Sequence, residues 1–149
     1  MNPFLPTARW TLRTLPQRQG NEPPRLLVID DDGKGAEAIA AALSASGYGA
    51  RFAVGVPAAL TAMAAWMPEI ALLDINVPGT DGFGLARELR HDARTQHLVL
   101  LAFTAYDEIT VRAKGIAAGF DGYVQKGAAP DLLLKLLRQI AFSPDVLAH

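Results

Sequence analysis

From residue 25 onward, short continuous apolar runs alternate with longer stretches whose apolar positions recur every three or four residues. That alternation predicts strands and helices in turn. Leu26-Leu27-Val28-Ile29 closes on Asp30-Asp31-Asp32-Gly33, the pattern of a parallel strand buried on both faces. Residues 34–46 carry Ile39, Ala42 and Leu43 at helical spacing and stop at Gly47. A second strand is predicted over 50–54, and a helix over 56–67 with Pro57 in its first turn and Pro68 just past its end. Ile70-Ala71-Leu72-Leu73 is a third buried strand ending at Asp74, followed by the turn Pro78-Gly79-Thr80-Asp81-Gly82 and a helix over 83–91, with Asp81 as a candidate cap. The remaining elements are a strand over 98–103, a helix over 107–118 closed by Gly119, a strand over 122–124, and a helix over 130–142.

Five strands alternating with five helices predict an α/β fold with a doubly wound parallel sheet and helices on both faces. In such sheets ligands bind beyond the carboxyl ends of the strands, at the switch in strand order. The polar residues gather at those ends: Asp30, Asp31 and Asp32 after the first strand, Asp74 after the third, Thr104 after the fourth and Lys126 after the fifth. One pocket is therefore expected to collect residues as far apart as Asp30 and Lys126.

Composition adjusts this picture. At 149 residues, 50% hydrophobic and 19% charged, the chain has the size and composition of one globular domain. A net charge of -1 gives no support to nucleic-acid binding through bulk charge. Cysteine is absent, which excludes disulfides, thiol nucleophiles and thiolate metal sites. No apolar run reaches membrane-spanning length and no signal-peptide pattern opens the chain, so the expectation is a cytoplasmic protein without membrane insertion. Residues 1–24 hold five of the ten prolines and read as a flexible basic arm. Within it, residues 8–15 have the composition for one or two turns with Trp10, Leu12 and Leu15 as contacts. Residues 25–142 are expected to form the domain, with residues 143–149 as a short C-terminal tail.

Three crowded carboxylates repel one another and recruit a cation. With no His or Cys nearby the donors are hard oxygens, which suit Mg²⁺ better than zinc. A lysine and a hydroxyl facing that cation would hold phosphoryl oxygens, and a carboxylate beside it can attack phosphorus to form an acyl phosphate. His91, His97 and His149 lack metal-ligand spacing and read as surface residues; Trp66, Phe83 and Phe103 read as packing residues.

Four motifs carry a resemblance: Leu27-Val28-Ile29-Asp30-Asp31-Asp32, Leu72-Leu73-Asp74-Ile75-Asn76-Val77-Pro78-Gly79-Thr80-Asp81-Gly82, Phe103-Thr104-Ala105 and Gly122-Tyr123-Val124-Gln125-Lys126. In order and spacing, residues 25–141 resemble the receiver domain of two-component response regulators, the CheY-like fold. Asp74 follows Asp31 by 43 positions and precedes Thr104 by 30 and Lys126 by 52. The resemblance implies a flavodoxin-like strand order 2-1-3-4-5, counting from the strand at Leu26.

It also implies roles. Asp74 would be the phospho-acceptor, taking a phosphoryl group from a phosphohistidine on a sensor histidine kinase or histidine phosphotransfer domain. Asp31, one oxygen of Asp74 and the backbone carbonyl of Asn76 would bind Mg²⁺ (or Mn²⁺) directly, and Asp30 would assist through water. Lys126 and Thr104 would contact phosphoryl oxygens, with Tyr123 as the switch aromatic turning inward as Thr104 moves. A downstream protein would read the face made by the fourth helix, fifth strand and fifth helix. The resemblance assigns no enzymatic turnover beyond the chain's own phosphorylation and dephosphorylation, and it leaves homodimerisation open.

Gly127 stands where the family usually has a proline in a cis peptide. A cis bond without proline costs about 2.5–4 kcal/mol, so a trans, more flexible loop or a retained strained one is expected. Gly33 and Gly35 loosen the start of the first helix. Tyr106, two positions beyond Thr104, is expected to screen an acyl phosphate from water. Two alternatives remain at this point: a receiver-like adaptor that works by contact without phosphorylation, and a haloacid-dehalogenase-type phosphatase using Asp30. The second lacks a further acidic pair after the lysine strand and leaves Asp74 without a role.

Overall fold

The computed structural model describes residues 5–15, 22–76 and 81–141. In chain order its elements are β1 (Thr7–Arg9), β2 (Arg25–Asp30), α1 (Gly33–Ala45), β3 (Gly49–Val54), α2 (Val56–Ala65), β4 (Ile70–Asp74), α3 (Gly82–His91), β5 (Val99–Thr104), α4 (Glu108–Ala118), β6 (Gly122–Gln125) and α5 (Pro130–Ala141). They form a six-stranded sheet in the order β1-β6-β5-β4-β2-β3. Without β1, the parallel strands have the expected 2-1-3-4-5 order.

Alternation along the strands divides the core. Leu27 and Ile29 point to the face covered by α2, α3 and α4, where they meet Ala59, Met63, Leu85 and Leu89. Leu26 and Val28 point to the other face, against Ala36, Ala40 and Leu43 of α1 and Leu133, Leu136 and Leu137 of α5. A strand buried on both sides is apolar along its length, which is why β2 and β4 read as apolar runs that turn polar only at their ends, at Arg25, Asp30 and Asp74. Helix boundaries follow local chemistry. Asp32, Asp81 and Asp107 cap α1, α3 and α4 by accepting from the backbone N–H of Lys34, Phe83 and Thr110, and Gly119 ends α4 in the left-handed region at φ +108°.

Two expectations are corrected. The sheet has a sixth, antiparallel strand, and residues 7–15 are not a free arm. Thr7, Ala8 and Arg9 pair with Val124, Tyr123 and Gly122. The segment is extended rather than turned, and it satisfies the backbone groups that the outer edge of β6 would otherwise present unpaired. Trp10 is half-buried against the core and Leu15 packs on the α1–α5 side, whereas Leu12 is 83% exposed and makes no such contact. The rest of the expected arm (residues 1–4 and 16–21), the turn residues 77–80 and the tail from 142 lie outside the described residues. Among the described residues, no helix is long and apolar enough to cross a membrane.

Candidate functional site

β2, β4, β5 and β6 are parallel neighbours, so their carboxyl ends meet at one end of the sheet and deliver Asp30, Asp74, Thr104 and Lys126 together. Asp30, Asp31 and Asp74 form the one acidic cluster found among the described residues, with a ligand atom from each lying within 4.8 Å of the others. Asp30 and Asp74 are buried and Asp31 is exposed at the mouth. The Lys126 Nζ reaches across the sheet to Asp30 Oδ1 at 3.2 Å and Asp74 Oδ2 at 3.0 Å. Burial alone would lower the lysine's pKa, but its bonds and charge attraction to Asp74 and then Asp30 outweigh that, so the ammonium is held above its ordinary value. The other oxygen of Asp74, Oδ1, accepts the Asn76 backbone N–H at 2.9 Å.

Thr104 is fully buried, and its hydroxyl oxygen accepts from the Tyr106 N–H at 3.1 Å and from Asn76 Nδ2 at 3.4 Å. Lys126 is fixed to the same strand end by its backbone N–H, which donates to the Thr104 carbonyl at 2.8 Å. The structure thus brings Asp30, Asp31, Asp74, Asn76, Thr104 and Lys126 into one group. Asp32, which the sequence placed in the same acidic triplet, instead turns back to cap α1. The Lys126–Gly127 peptide is trans, and Gly127 takes φ +90°, a conformation that favours glycine. Beside the carboxylates a cleft of about 340 Å³ opens between α1 and α5, lined by Ile39, Leu43, Phe103 and Leu133 with Lys126 at its polar end.

The sequence model of the family described as "Response regulator receiver domain" matches residues 26–138. The chain belongs to this family. The receiver is 33% identical over 116 residues to the response regulator PleD of Caulobacter vibrioides, covering 78% of this chain and 26% of that protein. It is 35% identical over 118 residues to the response regulator MprA of Mycolicibacterium vanbaalenii, covering 79% of this chain and 50% of that protein. The receiver therefore spans between a quarter and half the length of these relatives. Among solved structures, the chemotaxis response regulator CheY4 of Vibrio cholerae superposes with a TM-score of 0.73 at 23% identity, covering 79% of this chain and 98% of that one. A putative response regulator from Chloroflexus aurantiacus superposes with a TM-score of 0.73 at 31% identity, covering 79% and 97%. Family membership is consistent with two-component signalling. Receiver domains bind Mg²⁺ at an acidic pocket, and the hard-oxygen cluster of Asp30, Asp31 and Asp74 has the donor set for it.

Tyr123 of this receiver is fully buried with its ring turned inward. Its hydroxyl donates to the Tyr106 carbonyl at 2.6 Å, so Tyr106 bonds Thr104 through its N–H and Tyr123 through its C=O. Burial, with smaller contributions from Asp107 and Glu108, raises the Tyr123 phenol to about 12. The Tyr106 ring itself stands 54% exposed beside the site.

Trp10, Glu108 and Asp121 complete the surroundings of Tyr123 and its strand. Trp10 stacks on its ring at a centroid distance of 5.9 Å and donates from Nε1 to Glu108 at 2.7 Å. Glu108 is buried, and its bonds first to Arg112 and then to Trp10 hold its carboxyl below the ordinary glutamate range. Asp121 is also buried, at the opposite end of β6 from Lys126, where it accepts from Arg90, Arg13, Thr11 and the Leu100 backbone. Trp10 was expected as a contact of the arm, whereas nothing in the local sequence separates Glu108 and Asp121 from ordinary helix-start or loop residues.

Proposed function

We propose that this receiver accepts a phosphoryl group on Asp74 from a phosphohistidine of a sensor histidine kinase or histidine phosphotransfer domain, in a Mg²⁺-dependent step. The observation that carries this reading is the Lys126 ammonium bridging Asp30 and Asp74 at 3.2 and 3.0 Å beside the exposed Asp31. A lone surface carboxylate would have no such partner.

Asp74 attacks phosphorus. An O–P bond forms as the P–N bond of the donor breaks, and the imidazole leaves with that electron pair, keeping the proton on its other nitrogen. Asp31, Asp30, Asp74 and the Asn76 backbone carbonyl would hold Mg²⁺ (or Mn²⁺), which when bound neutralises charge on the phosphoryl oxygens. Lys126 supplies a positive charge of the chain's own beside Asp74. The cleft between α1 and α5 gives the incoming donor an apolar seat next to Asp30 and Lys126.

Once Asp74 is modified, the Thr104 hydroxyl donates to a phosphoryl oxygen. Because that hydroxyl also holds the Tyr106 N–H, its movement is felt at the Tyr106 carbonyl and so at Tyr123. The α4–β6–α5 face is then the surface read by a downstream protein.

The test is a beryllofluoride titration in Mg²⁺ followed by amide NMR shifts, with Asp74→Asn as control. A Mg²⁺-dependent response that vanishes in the variant is expected. A folded protein that shows no response at millimolar Mg²⁺ overturns the proposal.

A further inference from the structure

The outer edge of β6 is recognised twice by residues 6–13. The backbone supplies the first set of contacts: the Gln125 N–H donates to Pro6 O at 2.8 Å, Thr7–Arg9 continue the ladder, and the Trp10 and Thr11 N–H groups both donate to Asp121 O at 2.7 and 3.1 Å. Side chains supply the second. The Thr11 hydroxyl and Arg13 Nε reach the Asp121 carboxylate at 2.7 and 3.1 Å, and the Trp10 indole enters a slot between Tyr123, Glu108 and α4.

The floor of that slot is Gly115, inside α4. A Cβ at this position would stand 2.4 Å from Cζ3 and 2.8 Å from Cη2 of Trp10. Glycine weakens a helix interior, so α4 gives up local stability at the position where the indole needs room. The ladder itself is three residues long, short enough to open without the rest of the sheet. With Trp10 seated, the Tyr123 ring is closed in from behind. Withdrawing Trp10 would remove the ring that stacks on Tyr123 at 5.9 Å.

We propose that the edge of β6 and the slot over Gly115 form an exchangeable docking surface for an extended segment bearing a tryptophan, filled in cis by residues 6–13, and that filling it favours the phosphorylated form of the receiver. The second half rests on the phospho-acceptor reading given above. Linkage makes the effect reciprocal: if the seated arm strengthens binding of a phosphoryl mimic at Asp74, the mimic strengthens seating of the arm by the same factor. A downstream protein approaching the α4–β6–α5 face meets this strand first.

The experiment uses the full chain and two substitutions that reach the slot from opposite sides. Trp10→Ala removes the occupant. Gly115→Ala removes the room while favouring the helix, which keeps the fold in place. The Trp10 indole N–H resonance reports seating directly and is expected to move to the exposed position and exchange faster in Gly115→Ala. Apparent beryllofluoride affinity at saturating Mg²⁺ is expected to fall at least threefold in both variants. A peptide of residues 5–15 should bind Trp10→Ala and restore its affinity, and should fail to do either in a Trp10→Ala/Gly115→Ala protein. Wild-type beryllofluoride affinity with the indole demonstrably unseated overturns the coupling. Failure of the peptide to bind folded Trp10→Ala, or binding that ignores Gly115→Ala, overturns the docking surface. A wild-type protein blind to beryllofluoride removes the phospho-acceptor reading and the coupling with it, and the peptide and indole results then decide the docking surface alone.

Discussion

Trp10 and Tyr123 stack at a centroid separation of 5.9 Å and an interplanar angle of 28°, which joins the first strand of the chain to its last. The contact matters because the Tyr123 hydroxyl is bound to Tyr106, and Tyr106 is bound to Thr104 at the candidate site. A tryptophan outside the residues 26–138 matched by the family model thereby backs the residue that the family resemblance assigns to switching.

Lys126→Ala separates the two electrostatic jobs of that residue. Without the ammonium, Asp30 and Asp74 lose the cation that they share, and a divalent ion no longer competes with it. Mg²⁺ affinity measured by calorimetry is expected to rise several-fold, while the beryllofluoride response weakens by tenfold or more. Unchanged Mg²⁺ affinity would show that the lysine does not hold these carboxylates in solution.

Gly82→Ala is expected to cost about 1–3 kcal/mol, the usual range for overpacking. A Cβ there would lie 2.4 Å from the Ile75 Cα and 3.0 Å from its carbonyl carbon and oxygen, and Ile75 is flanked by Asp74 and Asn76. Backbone has to move to admit the methyl, so a lower unfolding midpoint should come with amide shifts at Asp74 and Asn76. A midpoint equal to wild type would sink the prediction.

Alkaline titration tests the burial of Tyr123. Its phenol is raised to about 12 in the folded protein, against an ordinary value near 10. The folded state holds this proton more tightly, so the contribution to stability is complete below about pH 10 and is lost as pH rises towards 12. Lys126, also raised, loses its contribution in the same direction. Burial raises the Tyr48 phenol as well, so tyrosinate absorbance should be read as a difference between wild type and Tyr123→Phe. The variant should lose a late component near pH 12, and about 1 kcal/mol of stability with the bond to Tyr106. A difference curve centred near the ordinary value of about 10 would show that Tyr123 is not held in this buried state.

Tyr106→Ala keeps the backbone bonds of residue 106 and removes only the exposed ring. If the ring shields an acyl phosphate at Asp74, dephosphorylation followed with radiolabelled protein should run several-fold faster. A rate no faster than wild type would leave the ring without that role.

The elements whose ends carry glycine, proline or aspartate were legible within about two residues: Asp81 does cap α3, Gly119 does close α4, and Pro130 does open α5. The grouping of Asp30, Asp31, Asp74, Thr104 and Lys126 was also legible, because parallel strands bring their carboxyl ends together whatever the intervening sequence. β1 was not. Three half-buried residues next to a proline have no period to read, and they are a strand only because β6 offers an edge. Asp121 and Glu108 escaped for a related reason. Their burial comes from Arg90, Arg112 and Trp10, which are brought to them by folding and not by neighbouring sequence.

The antiparallel direction of β1 sets where the chain enters the molecule. Arg9 lies opposite Gly122 at the far end of β6, and Pro6 lies opposite Gln125, one residue from Lys126. A fluorophore, affinity tag or fused domain attached ahead of Pro6 would thus emerge on the rim that bears Asp74, and would crowd the very surface a phosphodonor approaches.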